Sequence, residues 1–166
     1  METFRPKLCR LAWAWCHNSA LADDLVQDTL LKGLQKLDQL RDPDQIEVWL
    51  SRILANLHRD YLRRRKEELG LEEDLLQGNG SPEQNLQQQD TISQVRHAIG
   101  CLNEDQRKVL TMVDLMEFSY ADVANVLDIP VGTVMSRLCR ARNRLKTLLK
   151  NTDSPISGVA HLRSVK

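Results

Sequence analysis

The sequence predicts an all-α chain: two small helical domains joined by a flexible acidic linker, the second domain ending in a helix-turn-helix. Three observations predict it. Leu-rich runs recur at steps of three and four, without the alternating β-branched runs that strands need. Aromatic residues make up 4% of the 166 residues, and glycine (7) and proline (5) are few. Charge is segregated as well. Residues 1–66 carry twelve basic and nine acidic side chains, 67–90 carry seven acids and no base, and 91–150 carry nine basic and six acidic. Two mildly basic blocks thus flank an acidic connector, and the formal net charge of zero conceals them.

The first helix is predicted over residues 4–17, with Leu8, Leu11, Ala12 and Trp15 on one face and Trp13 turned toward a neighbouring helix. A second helix starts at Ser19. Its core stripe reads Ala22, Leu25, Val26, Thr29, Leu30, Gly33, Leu34 and Leu37. Asp24, Gln27, Asp28 and Leu31 lie on another face, and on residue chemistry alone they read as solvated surface with one exposed leucine. Leu40–Gln45 is a turn, because Pro43 keeps Asp42 from continuing a helix. A third helix follows, with Ile46, Trp49, Leu50, Ile53, Leu54, Leu57 and Tyr61 toward the core. Arg52, Asn56, Arg59 and Arg63 share another face, and the helix closes on Arg63-Arg64-Arg65-Lys66. Such a face suits phosphates, with the Asn56 amide placed to touch a base.

Residues 67–90 contain Gly78-Asn79-Gly80-Ser81-Pro82 and a Gln-rich run, the chemistry of a linker, with transient helix expected near Leu71–Leu76. Ile92, Val95, Ile99 and Leu102 open the second domain. Asn103 and Gln106 are spaced as an N-cap and its partner. The helix they start is expected to carry Val109, Leu110, Met112, Val113 and Met116 toward Ser119.

From Ser119 to Lys150 the chain reads as two helices and a tight turn. Ser119 caps the first, with Asp122 near the positive end of the helix dipole. Val123, Val126 and Leu127 give it an apolar side. Asp128 takes the left-handed position after it, and Pro130 is expected at the first position of the next helix. That helix places Val134, Leu138, Leu145 and Leu148 inward. It carries six Lys/Arg residues (Arg137, Arg140, Arg142, Arg144, Lys146, Lys150), and no acid occurs from Pro130 to Lys150. Charge alone would fit a solvated basic helix; the turn chemistry before it favours a major-groove helix-turn-helix. Residues 151–166 read as a frayed tail.

No Gly-rich phosphate loop, Ser/His/Asp grouping or H-E-x-x-H pattern appears, so the chain is not expected to be an enzyme. Cys9, Cys16, Cys101 and Cys139 form no C-x-x-C pair, and none of them pairs with a histidine at a zinc-ligand spacing. No metal and no cofactor are expected. No apolar run reaches membrane-spanning length, and METFRPKLCR lacks a signal-peptide core. A cytoplasmic protein without membrane insertion is expected.

Two stretches at this separation resemble the bacterial RNA polymerase sigma-70 family, in its extracytoplasmic-function (group 4) type. ADDLVQDTLLKGLQKL with WLSRILANLHRDYLRRRK resembles the second sigma domain. LNEDQRKVLTMVDLMEFSYADVANVLDIPVGTVMSRLCRARNRL resembles the fourth, and its SYADVANVL-x-IPVGTV-x-SR-x-x-RAR core is the more specific match. The resemblance implies a sigma factor that binds core polymerase and directs promoter-specific initiation. Residues 1–66 would then be sigma domain 2-like, 67–90 a linker passing near the polymerase channel, 91–150 sigma domain 4-like, and 151–166 a tail.

It also implies roles residue by residue. Asp24, Gln27, Asp28 and Leu31 match the helix that docks on the β′ clamp helices, and the fourth domain would meet the β flap. The Leu40–Gln45 turn, with Arg41, matches the loop that captures an extruded minus-ten base. Asn56 and Asp60 face that element, while Arg59, Arg63 and Arg64 hold phosphates. Thr133, Met135, Ser136, Arg137, Cys139 and Arg140 fall on the minus-thirty-five reading helix, with Arg137 and Arg142 better suited to backbone contacts or domain packing. Promoter DNA and an anti-sigma factor, which could hold the chain near the membrane, are the implied partners. The sequence departs from the family pattern at Leu40 (commonly aromatic), Met135 (commonly basic), Cys139 (commonly bulkier) and Asp128 (commonly glycine). A sigma-like decoy that binds a regulator, or an autonomous helix-turn-helix regulator, remains open at this point.

Overall fold

The computed structural model describes residues 2–69 and 91–150. The predicted linker from residue 70 onward, including its Leu71–Leu76 segment, and the predicted tail over 151–166 lie outside the described residues. Seven α-helices form among the described residues: α1 (Arg5–Cys16), α2 (Ser19–Gln35), α3 (Ile46–Leu69), α4 (Thr91–Gly100), α5 (Glu104–Asp114), α6 (Tyr120–Leu127) and α7 (Val131–Lys150). No strand occurs among these residues. α3 runs through Glu67–Leu69, three residues past the basic run expected to end it.

Local chemistry sets the ends. α1 stops where His17 turns left-handed at φ 48° and its N–H donates to the Trp13 carbonyl. α2 starts at Ser19, as expected, and Asn18 before it caps the helix by accepting the Leu21 N–H at 3.0 Å. Asn103 caps α5 by accepting the Gln106 N–H at 2.8 Å. α5 does not reach Met116 as expected. It ends at Asp114, and Glu117 takes φ 59°, which folds Met116 and Phe118 back onto the buried side. Ser119 and Asp122 form a complete capping box at the start of α6. Asp128 is left-handed at φ 56°, as the turn requires. Pro130 sits one residue earlier than expected, just before α7, where its carbonyl accepts the Val134 N–H at 3.2 Å.

α1, α2 and α3 form one group and α4–α7 a second. In the first, Leu8, Leu11, Trp15, Leu25, Val26, Leu50 and Leu54 are buried, and in the second Val109, Met112, Val123, Val126, Val134 and Leu138. Leu149, rather than the expected Leu148, is the buried leucine of the last turn of α7. The two groups pack together: α1 lies against α4 and α5, and α3 lies against α6.

The seam between them is polar at its centre. Arg107 and Lys108, charged residues that the sequence reading did not single out, are buried. The Arg107 guanidinium donates to the Trp15, Gly100 and Leu102 carbonyls at 3.0, 2.7 and 2.8 Å, which ties the end of α1 to the α4–α5 corner. Trp15 Nε1 donates to Thr111 Oγ1 at 2.9 Å. Lys108 pairs with Glu104 and lies over the Trp15 ring, 5.7 Å from its centre. Arg96 of α4 stands 5.3 Å from the centre of Trp13, so the tryptophan does meet a neighbouring helix. Gly100 fits against the His17 ring, where a Cβ would come within 3.1 Å.

Candidate nucleic-acid interfaces

Three surfaces carry the predicted site residues. On α2, Thr29 is buried and its hydroxyl donates to the Leu25 carbonyl at 2.7 Å. The opposite side bears Asp24, Gln27, Asp28 and Leu31, all exposed. Leu34 and Leu37, expected in the core, are 57% and 45% exposed. The reason is geometric. At about 100° per residue, Leu34 projects with Gln27 and Leu31 rather than with Leu25 and Thr29. α2 is also five residues longer than the 12-residue α1 it packs on, and Leu37 falls in the 3-10 turn after it. Leu31 is therefore not a lone exposed leucine. It belongs to an apolar patch with Leu34 and Leu37, bordered by Asp24 and Asp28.

The second surface is the outer face of α3. Arg52, Asn56, Arg59, Arg63 and Arg64 are exposed, as is Arg41 in the preceding turn. That turn is shaped by Asp42, whose carboxylate accepts the Asp44 N–H at 3.0 Å. Asp60 is half-buried and lies 3.4 Å from Arg63. This face meets the second helical group. Arg52 donates to Asn125 at 3.2 Å, and Arg59 donates both to Asn56 and to the Leu127 carbonyl at 3.3 Å. In this arrangement α6 takes up part of the basic face.

The third surface is the first half of α7. Val134, Leu138 and Ala141 are buried and fix which side turns outward. Met135, Ser136, Cys139 and Arg140 are exposed and Thr133 is half-buried. Arg137 and Arg142 hold α7 to α5 through ion pairs with Asp105 at 2.7 Å and Asp114 at 2.6 Å. The Asp114 hydrogen bond raises the Arg142 pKa. Both arginines thus serve packing within the second group. Arg140 and Arg144 have no acidic partner among the described residues.

The seam holds the most perturbed titratable groups. His58 on α3 is buried, 5.7 Å from the Trp15 ring, and the nearest Glu104 oxygen lies 3.9 Å away, beyond hydrogen-bond reach. Burial, with Lys108 and Arg107 adding to it, holds its pKa at about 3. His17 is held at about 4 by burial, Arg107 and His97. Burial pushes the Cys16 thiol up to about 12, so it is not a nucleophile. Among the described residues, no group of three or more His, Cys, Asp or Glu side chains could hold a metal ion, and no helix is long and apolar enough to cross a membrane.

Sequence periodicity did not find the seam. One signal was present: Arg107 shares the helix face of Leu110 and Thr111, so a charge sat inside an apolar stripe.

Known proteins bear on these surfaces. Residues 1–68 match the family model for sigma-70 region 2, and residues 92–145 the model for sigma-70 region 4. The chain is 37% identical over 151 residues to the ECF RNA polymerase sigma factor EcfG of Rhodopseudomonas palustris, covering 87% of this chain and 80% of that protein. It is 30% identical over 159 residues to the RNA polymerase sigma-H factor of Pseudomonas aeruginosa, covering 89% and 82%. Among solved structures it is similar to the sigma factor RpoE in complex with the anti-sigma factor NepR from Bartonella quintana. That match has a TM-score of 0.75 and 30% identity, and covers 92% of this chain and 95% of that one. It is also similar to CnrH in complex with the cytosolic domain of CnrY, with a TM-score of 0.62 and 29% identity over 89% and 82% of the two chains.

Proposed function

This chain belongs to the RNA polymerase sigma-70 family, in its extracytoplasmic-function branch, and on that footing we propose how its surfaces divide the work of starting transcription. It is a sigma factor that directs core RNA polymerase to promoters, a non-catalytic initiation factor. The decoy and the autonomous-regulator readings are not favoured. Residues 1–66 act as the domain that docks on polymerase and meets the minus-ten element, and 91–150 as the domain that reads the minus-thirty-five element.

The observation that carries the division is the exposed α2 face, with Leu31 and Leu34 apolar beside Asp24 and Asp28. Among the described residues it is left exposed, as a docking surface must be. It meets the β′ clamp helices, and the second domain meets the β flap. Arg41, Asn56, Arg59, Asp60, Arg63 and Arg64 face the minus-ten strand. Thr133, Met135, Ser136, Cys139 and Arg140 face the minus-thirty-five groove, while Arg137 chiefly packs. Because Arg52 and Arg59 hold α6 here, the two helical groups part before α3 takes a promoter strand. The two solved relatives in complexes with their partners, NepR and CnrY, support an anti-sigma factor as a partner of this chain, which acts in the cytoplasm.

Transcription by purified core polymerase with and without this chain, across a promoter library, tests the reading. Initiation confined to a two-element promoter class and dependent on the chain is expected. Promoter-independent initiation, or none, would reject it.

A further inference from the structure

Val131, Met135 and Cys139 follow one another at steps of four along the first half of α7, and all three are exposed, Val131 by 43% and Met135 by 54%. Among the described residues nothing covers them, even with the two helical groups packed together. Gly132 lies beside this strip, and a methyl group there would meet nothing within 4 Å, so packing gives no reason for a residue that weakens a helix relative to alanine. Its bare backbone leaves room for another molecule to come close. Three polar side chains nearby are engaged within the chain: Ser136 Oγ donates to the Thr133 carbonyl at 3.1 Å, and Arg137 and Arg142 are bound to α5. The flank is positive, with Arg140 and Arg144 outside any ion pair among the described residues and no acid from Pro130 to Lys150.

A basic helix with an apolar reading strip has one match on the edge of a base pair in the major groove. The thymine C5-methyl is the apolar group that projects there; the groups that mark the other bases are hydrogen-bond donors and acceptors. We infer that Val131 and Met135, extended by Cys139, select thymine in the upstream promoter element by packing on its methyl group. This rests on the assignment of α7 to that element and names what α7 reads. The same strip disfavours a G·C pair, whose donors and acceptors would be stripped of water without a partner.

The test begins with core polymerase carrying the full chain, and a promoter selected from a library randomised at the upstream element. Each thymine of that element, on either strand, is then replaced singly by deoxyuridine, which removes the methyl and leaves every hydrogen-bonding group in place. At least one replacement should weaken promoter binding about four-fold, the worth of one buried methyl. Met135→Ala with Val131→Ala should bind the thymine and deoxyuridine promoters alike, while Met135→Leu keeps the preference. Circular-dichroism melting checks that the variants fold. A wild-type footprint on the upstream element that is indifferent to every deoxyuridine would overturn this inference and leave the sigma reading standing. An undiminished thymine preference in the double variant would overturn it too. Absence of any promoter-specific footprint would overturn the parent reading, and this one with it.

Discussion

Acid should weaken the fold through His58, by an amount that its surroundings set. The ring is 3% exposed, between Trp15 of α1 and the α5 side chains Glu104, Lys108 and Arg107, with two positive charges against one negative. Its pKa is about 3 in the folded chain against an ordinary 6.5. A histidine whose folded pKa is lowered is neutral in both states above 6.5, so its environment costs nothing there. Below 6.5 the unfolded chain takes up a proton that the folded chain refuses, and stability falls by about 1.4 kcal/mol per pH unit until the folded pKa is reached. Between pH 7.5 and 5.5 only the lower unit counts, and the loss from His58 is about 1.4 kcal/mol.

His17, held at about 4, acts in the same direction. Urea denaturation at the two pH values measures the loss, on wild type and on His58→Phe, which keeps a flat ring beside Trp15. The wild type should lose about 1.4 kcal/mol more than the variant between pH 7.5 and 5.5, whatever the variant's absolute stability. Equal losses would refute the account of His58 as a buried neutral group.

Five further substitutions have outcomes that the geometry sets. Arg107→Ala strands the Trp15, Gly100 and Leu102 carbonyls and should cost about 3 kcal/mol or more, read from the urea midpoint. Trp15→Phe deletes the bond to Thr111 and should cost about 1 kcal/mol in the same assay. Asp128→Gly relieves a left-handed residue and should stabilise the chain by up to about 1 kcal/mol with unchanged promoter use, measured by melting and transcription. Leu34→Ser should leave stability within about 0.5 kcal/mol, as an exposed position does, yet weaken binding to core polymerase, and Asp28→Arg should weaken it by at least about 30-fold. Unchanged affinity of both α2 variants for core enzyme would remove that face from the docking surface.

Helix type and most caps were legible because they depend on neighbours in sequence. Ser119 with Asp122, Asn103 with Gln106, and Asp128 after α6 all do in the fold what their chemistry dictates alone. Leu34 was misread because a run of threes and fours is tolerant. It can be traced down either side of a helix, and only the packing of α1 and α3 decides which side is covered. Met116 was misread because the left-handed Glu117 carries no composition signal that separates it from a helical glutamate. The seam was invisible for a different reason. Arg107 finds its partners on α1 and at the α4–α5 corner, and its Trp15 contact spans 92 positions in the chain. No local rule reports that a charge will be satisfied so far away.

The contacts that join the helical groups differ in kind, and the difference bears on how a promoter could part them. Between α3 and α6 the hydrogen bonds from Arg52 and Arg59 are long, 3.2 and 3.3 Å, and the Arg52 bond is exposed to water. Bonds of this kind are worth about 1 kcal/mol or less, and a phosphate would replace them with stronger charge-assisted ones. At the α1–α5 seam, Trp15 and Thr111 are bonded inside the protein, and Arg107 reaches a carbonyl on either side. Separating these leaves buried groups without partners until water arrives. In the proposed reading, DNA arriving at α3 would compete with α6 locally, yet gain nothing directly from opening the seam. A ligand shifts such an equilibrium only by its differential affinity for the two states. The free energy that opens the seam has to come from surfaces whose partners require the groups apart. In the proposed reading these are the α2 face and the α7 strip, engaged together on polymerase and promoter.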